Sequence, residues 1–366
     1  MTQIHIYLFG IGNVGKTFIQ QILESSNFFK QHHHLDLRIV GLANSRSVLT
    51  VKDGIGTDWK EVFGKESSPR EADSFYRFSK NTEVLKIAVD ATASQELSRF
   101  YPEIVQHGFS IVTANKIANT LSQDFYDRLR SLLKEQHLNF EYETNVGAGL
   151  PIVETVRSLY NSGEQIFVIN GVFSGSLGYI FNRFSEEDVS FSQVVTDALD
   201  LGFTEPDPRE DLSGNDVARK LLVLAREAGL KLEFEDISIE SLVTPTLKSA
   251  SLHQFLTDLS QLDSDFQDRK DALKEDEVLR HLGQLDVINK QLKVSLQVVK
   301  KSSPAGQLQG SDGFFEIYSE SYAQHPLVIK GAGAGREVTA RGLVSDIVKI
   351  CKSQPVYSLE LLEKDF

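Results

Sequence analysis

The chain has 366 residues, 41% hydrophobic and 24% charged, which is more than the ~100 to 200 residues of one typical domain and enough apolar material for two cores sharing a cleft. A formal charge of -13 argues against nucleic acid or an anionic membrane as the main partner, and no window approaches the about 20 apolar residues in a row that span a bilayer. The single cysteine, Cys351, excludes an intramolecular disulfide and a cysteine-built zinc cage; with no basic and apolar leader at Met1-Thr-Gln-Ile-His-Ile, a cytoplasmic protein is expected.

Residues 4 to 9, Ile-His-Ile-Tyr-Leu-Phe, form an apolar run that ends in Gly10-Ile-Gly12-Asn13-Val14-Gly15, after which Thr17 to Leu23 has helical spacing. Buried strands follow at Leu37 to Ala43, Leu85 to Asp90 and Gly108 to Thr113, then a helix from Ser122 to Glu135 and a strand near Asn139 to Tyr142. Strands alternating with helices predict an α/β fold, a Rossmann-type doubly wound parallel sheet over residues 1–150. From Pro151 the pattern changes: a helix over Val153 to Tyr160, a longer strand over Gln165 to Phe173, and late strands at Leu292 to Val299, Gly313 to Tyr318 and Pro326 to Lys330. The stretch from Asp258 to His281 is charged and reads as helical with a solvated face. Residues 151–330 are therefore expected to form an α+β substrate and dimerisation domain. The segment 331–366 opens with Gly331-Ala-Gly333-Ala-Gly335 and carries a packed helix over Val338 to Cys351, expected to return to the first domain. Cys351 reads as a buried structural thiol in that helix.

Gly10, Gly12 and Gly15 stand where a dinucleotide fingerprint requires them, between a buried strand and a helix whose free N-terminal amides can face a pyrophosphate. The alternative is a structural glycine turn. After Ala43 comes Asn44-Ser45-Arg46 with no carboxylate for an NAD ribose, so NADP(H) is favoured over NAD(H) unless Arg46 is a surface-loop residue. The densest polar cluster runs from Gly202 to Lys220. Its two prolines should hold Glu205 to Arg209 out of regular structure, and Ser213 should cap the following helix. Asp216 and Lys220 lie four apart on one face of that helix. A carboxylate there favours the charged amine and makes Lys220 a candidate proton donor, although an exposed i,i+4 ion pair has the same spacing. Lys116, at the carboxyl end of a parallel strand, is a second candidate cation. The triplet His32-His33-His34 reads as a solvated loop without a metal-ligand pattern. Glu143-Thr-Asn-Val146-Gly147-Ala148-Gly149-Leu150-Pro151 offers a carboxylate and a bent backbone, suited to a hard cation or to a domain-boundary turn.

Taken together, Gly10 to Gly15, Ala43-Asn-Ser-Arg46, Thr113-Ala-Asn-Lys116, Tyr142 to Pro151, Gly171 to Leu177, Gly202 to Lys220 and Gly331 to Thr339 resemble homoserine dehydrogenase. The wording is nearest the dehydrogenase half of fused aspartokinase and homoserine dehydrogenase enzymes. The resemblance implies reversible NAD(P)H-dependent reduction of aspartate 4-semialdehyde to homoserine, on the way to threonine and methionine. It casts Lys220 as proton donor, with Lys116 polarising the aldehyde oxygen, Glu205 on the substrate ammonium, and Asp216 orienting substrate or a water. It places Thr92, Ala93 and Lys116 at the nicotinamide end and Gly333 and Gly335 at the rim of the cofactor pocket. Asn13, Val14, Asn44 and Arg46 complete the cofactor contacts. Glu143, Val146, Ala148 and Leu150 would hold a structural sodium or potassium ion, and the family pattern is a homodimer. The Lys116 motif departs from the family's in having Ala114 and Ile117. With neither a kinase nor an ACT domain expected, strong threonine inhibition is not expected. Two other readings bear weighing. An aspartate-semialdehyde dehydrogenase would need a cysteine nucleophile that Cys351 is ill placed to supply, and a cofactor sensor without catalysis would have no use for Lys220, Asp216, Glu205 and Lys116 together.

Overall fold

A computed structural model of the protein describes residues 1–70 and 84–353 and divides the chain into two units, one of residues 1–149 with the segment from Gly335 onward, the other Leu150–Ala334. In the first unit the apolar runs become strands β1 (Thr2–Phe9), β2 (Leu35–Ala43), β3 (Ser47–Thr50), β4 (Ser68–Pro69), β5 (Leu85–Asp90), β6 (Phe109–Thr113) and β7 (Phe140–Glu141). They form one sheet in the order β4-β3-β2-β1-β5-β6-β7, parallel from β2 to β7, with β3 and β4 antiparallel at one edge. Side chains alternate across a strand, so β1 feeds two cores. Ile4, Ile6 and Leu8 pack with Phe18, Ile19 and Ile22 of the helix Asn13–Glu24 and with Leu343, Ile347 and Cys351 of the helix Arg336–Lys352. Tyr7 and Phe9 face the other way, against Ile104, Val105 and Leu129. Helices thus cover both faces of a parallel sheet, and the chain turns from one side of β1 to the other between β2 and β5. At such a point the carboxyl ends of the central strands leave a crevice.

The second unit is built on a six-stranded sheet of β8 (Ile166–Val172), β9 (Ile237–Ile239), β10 (Glu277–Asp286), β11 (Gln291–Lys300), β12 (Asp312–Ser319) and β13 (Leu327–Ala332), in the order β13-β12-β8-β10-β11-β9. All neighbours are antiparallel except β11 and β9. Four phenylalanines, Phe181, Phe184, Phe191 and Phe266, interleave under its helices, with Phe191 and Phe266 stacked at 3.6 Å.

Four expectations are corrected. The helical reading of Asp258 to His281 holds over Leu259–Leu262, a 3-10 turn, and Asp263–Asp271; the chain then becomes β10, the long strand beside β8. The expected break at residue 331 lies at Gly335, because β13 continues to Ala332, paired with Asp312. The histidine triplet is no loop: His32 and His33 end the helix Ser26–His33, and His34 terminates it at φ 52°. Ser213 does not cap the Lys220 helix. Gly214, at φ 73°, stands at its start, while Pro208 opens a short helix, Pro208–Leu212, capped by Asp207. Residues 354–366, the end of the expected C-terminal segment, lie outside the described residues.

Candidate functional site

In the first unit the glycine turn is fixed by contacts that tolerate no side chain. Gly10 sits at φ 95°, where a β-carbon would come within 2.8 Å of the Ala91 carbonyl, and at Gly15 it would lie 2.0 Å from the Gly10 carbonyl. Gly12 has nothing within 4 Å on its β-carbon side, so that face of the backbone is open. The helix Asn13–Glu24 starts there with no side-chain cap and no acidic residue in its first turn, leaving its amides to an anion. A cleft of about 860 Å³ lies at these strand ends, lined by Gly10, Gly12, Lys16, Asn44, Arg70 and Thr92, among others, with Ala93 beside Thr92. Asn13 reaches a neighbouring cleft of about 670 Å³ in the same unit, while Val14 and Gly15 form the helix turn behind the glycines.

Asn44 is a structural device as well as a lining residue: its Oδ1 accepts the amides of Arg46 and Ser47, both at 2.7 Å. That turn leaves Arg46 exposed and outside the cleft lining. The arginine that lines it is Arg70, which donates from Nη1 to the Asn44 carbonyl at 3.1 Å and lies 5.7 Å from the Phe9 ring centroid. Nothing in the sequence marks Arg70, because it follows a strand of only two residues at the sheet edge. Lys116 is half-buried and precedes the turn Ile117–Thr120 directly after β6, also outside the lining of the cleft. Gly335, at φ 130°, begins the last helix. Gly333 belongs to the second unit, where its α-carbon faces that of Gly313 so closely that a β-carbon would approach to 2.7 Å. Backbone packing therefore accounts for that glycine, and neither of the two lines the cleft.

The segment after β7 bends sharply, with Gly147 at φ 72° and Ala148 at φ 54°. The Glu143 amide donates to the Asp346 carboxylate at 3.0 Å. Burial, then the neighbouring Glu141 and Glu143, push Asp346 well above the usual carboxylate range. Among the described residues no three His, Cys, Asp or Glu side chains cluster to hold a metal, so a cation there would need the carbonyls of Val146 and Ala148. Leu150 is the first residue of the second unit.

In the second unit two of the catalytic candidates, Lys220 and Asp216, are paired. The Phe173 ring lies over Gly171 and Gly283, where β-carbons would meet it at 2.9 and 2.7 Å, and edge-on to Phe315 at 5.0 Å. That packing fixes the Phe173 carbonyl, which accepts a 2.8 Å hydrogen bond from Lys220 Nζ. The same nitrogen lies 2.7 Å from Asp216 Oδ2, on a side chain only 15% exposed. Lys220 is thus largely covered, while Asp216, its i,i+4 partner, is 49% exposed. Glu205 is exposed, and its amide donates to Asp211 Oδ2 at 2.9 Å. The other Asp211 oxygen accepts from Ser176 Oγ at 2.6 Å, and Ser176 pairs with Ser174, the cap of the helix Gly175–Glu186. Burial raises the Asp211 carboxyl above its ordinary value, against these hydrogen bonds. Asp211 and the Phe173 carbonyl were not singled out in the sequence; the first stood in the right cluster, the second is a backbone group that no residue type announces. Asp207 and Arg209, by contrast, pair with each other at 2.6 Å and tie down the Ala250 carbonyl.

Residues 10–143 match the family described as homoserine dehydrogenase, NAD binding domain, and residues 151–348 match homoserine dehydrogenase. The chain is 40% identical over 354 residues to a chloroplastic bifunctional aspartokinase/homoserine dehydrogenase of Zea mays, covering 95% of this chain and 38% of that one. It is 35% identical over 359 residues to a homoserine dehydrogenase of Schizosaccharomyces pombe, covering 95% and 96%. Among solved structures, a Candida auris protein of unknown function superposes with a TM-score of 0.88 at 35% identity, over 96% and 99% of the chains. A hyperthermophilic archaeal homoserine dehydrogenase in complex with NADPH matches with a TM-score of 0.73 at 22% identity, over 97% and 99%. The chain spans about two fifths of the length of the bifunctional relatives. Among the described residues no helix is long and apolar enough to cross a membrane.

Proposed function

This chain belongs to the homoserine dehydrogenase family, and on that premise we propose that it interconverts L-aspartate 4-semialdehyde and L-homoserine by reversible NAD(P)H-dependent hydride transfer. The observation that carries the reading is Lys220, an ammonium held between the Asp216 carboxylate and the Phe173 carbonyl. An ammonium has three N–H donors, and the third is available to a carbonyl oxygen that becomes an alkoxide. A bound nicotinamide supplies the hydride. Lys220 delivers the proton to the oxygen, and Asp216 steadies the lysine in both protonation states. Glu205 binds the substrate ammonium, on a backbone that Asp211 holds, and Lys116 helps to polarise the oxygen.

The open face of Gly12 and the uncapped helix suit the pyrophosphate, with Asn13, Val14 and Asn44 beside it and Thr92 and Ala93 toward the nicotinamide. NADP(H) is the preferred cofactor: Arg70 lines the cleft beside Asn44, and the residues directly after Ala43, Asn44-Ser45-Arg46, include an arginine and no carboxylate to accept a 2′-hydroxyl. Gly333 and Gly335 remain proposed rim residues. A sodium or potassium ion is proposed on Glu143, Val146 and Ala148, with Leu150 following them. The bent backbone at Gly147 and Ala148, with the Glu143 amide held by the buried Asp346 carboxylate, supports it. The protein is read as a cytoplasmic homodimer, the exposed Val298 and Val328 on the sheet of the second unit supporting that as the interface.

The test is homoserine-dependent reduction of NADP⁺ and NAD⁺ at alkaline pH, parent beside Lys220→Ala. The parent turns over, and the variant loses about 100-fold to 10,000-fold in kcat with NADPH affinity intact. A folded parent that binds NADPH without turnover would overturn the reading and leave a cofactor sensor.

A further inference from the structure

A buried polar cluster at the carboxyl ends of β5 and β6 has no part in the chemistry above, yet it lies between the two features of the first unit that do. Asp90 ends β5 and is 2% exposed. Its Oδ1 accepts the Thr92 amide at 2.8 Å, and its Oδ2 accepts from the Tyr101 hydroxyl at 2.7 Å and from Asn115 Nδ2 at 3.1 Å. Burying a carboxylate is costly, and a strand end does not require one; here three separate segments converge on it.

Asn115 is the link. Besides Asp90, its Nδ2 donates to the Ser94 carbonyl at 3.0 Å, and its Oδ1 accepts the Ile117 amide at 3.1 Å. Its own amide donates to Thr113 Oγ1 at 2.9 Å. The backbone on both sides of Lys116 is therefore pinned by one side chain, and the same side chain grips the turn that carries Thr92 and Ala93. A lysine has four rotatable side-chain bonds, so its amine is only as well placed as its α-carbon.

We propose that Asn115, oriented by Asp90, is a positioning residue that holds Lys116 and the Thr92–Ser94 turn in one register, so that the second cation and the nicotinamide contact move together. This rests on the assignment of Lys116 and that turn to the reaction. A purely structural residue would lower stability wherever it is removed. A positioning residue lowers kcat chiefly while the group it positions is present, which a double-mutant cycle separates.

Asn115→Ala is expected to lower kcat about tenfold in the parent and only about twofold in the Lys116→Ala background, with equal falls in melting temperature in the two. Equal kcat losses in both backgrounds, or full kcat in a folded Asn115→Ala protein, would overturn the proposal. If Asn115→Ala does not fold, Tyr101→Phe keeps the ring and removes one donor from Asp90, and the same cycle should show a loss of about threefold that disappears without Lys116. Its persistence without Lys116, or no loss at all, overturns the proposal equally. Failure of the reaction assignment shows differently, as a parent without turnover. The positioning is then read from NADPH binding, where Asn115→Ala should raise Kd about fivefold through the Ser94 turn, and an unchanged Kd sinks it.

Discussion

Arg70 places a guanidinium in the cleft against the Asn44 carbonyl and near the Phe9 ring, and a guanidinium suits a phosphomonoester better than a hydroxyl. Removing hydrogen bonds to a charged group costs about 1.5 to 3 kcal/mol each. Arg70→Ala should therefore raise the NADPH Kd about ten- to hundredfold and the NADH Kd less than about twofold, with Arg46→Ala smaller, all read by fluorescence titration. Equal losses for both cofactors would mark Arg70 as a packing residue. A second residue governs stability. His281 is 3% exposed on β10, stacked over Phe181, and neither ring nitrogen has a hydrogen-bond partner among the described residues. Burial pulls it from 6.5 down to about 4. The unfolded chain then binds the proton more readily, so this contribution to stability is full above pH 6.5 and is lost as pH falls toward 4. The loss amounts to roughly 3 kcal/mol. Urea unfolding at pH 7 and pH 4.5 should show His281→Leu losing less than the parent over that interval; parallel losses would remove His281 as the cause.

At the scale of elements, what the sequence made legible is the parallel sheet, since Ile4 to Phe9, Leu37 to Ala43 and Leu85 to Asp90 are short, mostly apolar runs of the kind interior strands have. β10 was hidden for the opposite reason. Its Arg280 and His281 belong to residue types that usually face water, yet both are buried, and periodicity cannot reveal a charge satisfied inside. Arg280 donates to the carbonyls of Ala305, Gly306 and Leu279 at 2.8 to 3.1 Å and to that of Phe181 at 3.4 Å. Burial draws its pKa down to about 10, which still leaves it charged at neutral pH. The strand thereby latches the loop after β11, where a β-carbon on Gly306 would lie 2.0 Å from the Lys300 carbonyl. Arg280→Leu should lower the unfolding free energy by about 3 kcal/mol, with cleavage by trypsin appearing between residues 300 and 311. An intact loop in the variant would show that the glycine turn holds without its latch.

For the whole molecule the decisive feature is that the cofactor unit is completed from the far end of the chain. Ala340, Leu343, Val344, Ile347, Ile350 and Cys351 of the last helix are buried in the core of Ile4, Ile6, Phe18 and Ile22, and the Cys351 thiol is pushed up to about 12 there, an inert packing group. The helix also donates from Arg341 toward Ser25 and accepts the Gln21 amide at the Glu337 carbonyl, so it closes over the helix that follows the glycine turn. The helical spacing and the return to the first domain were both readable; the side chains it packs against were not, because they lie some three hundred residues earlier and pattern alone carries no residue-to-residue pairing. Each large side chain in that set contributes about 1.5 to 3 kcal/mol by its burial, so together they approach roughly 10 kcal/mol, comparable with the whole net stability of a domain. A chain ended after Ala334 therefore removes none of the residues that line the cleft of about 860 Å³, only the proposed rim residue Gly335, yet it should lose NADPH binding. Hydrogen exchange should show residues 1–149 unprotected while β8, β10 and β12 stay protected. A peptide of residues 335–353 added in trans should restore binding. A truncated chain that binds NADPH within about threefold of the parent would mean that the sheet and its first helix suffice, and that the terminal helix is packing without consequence for the site.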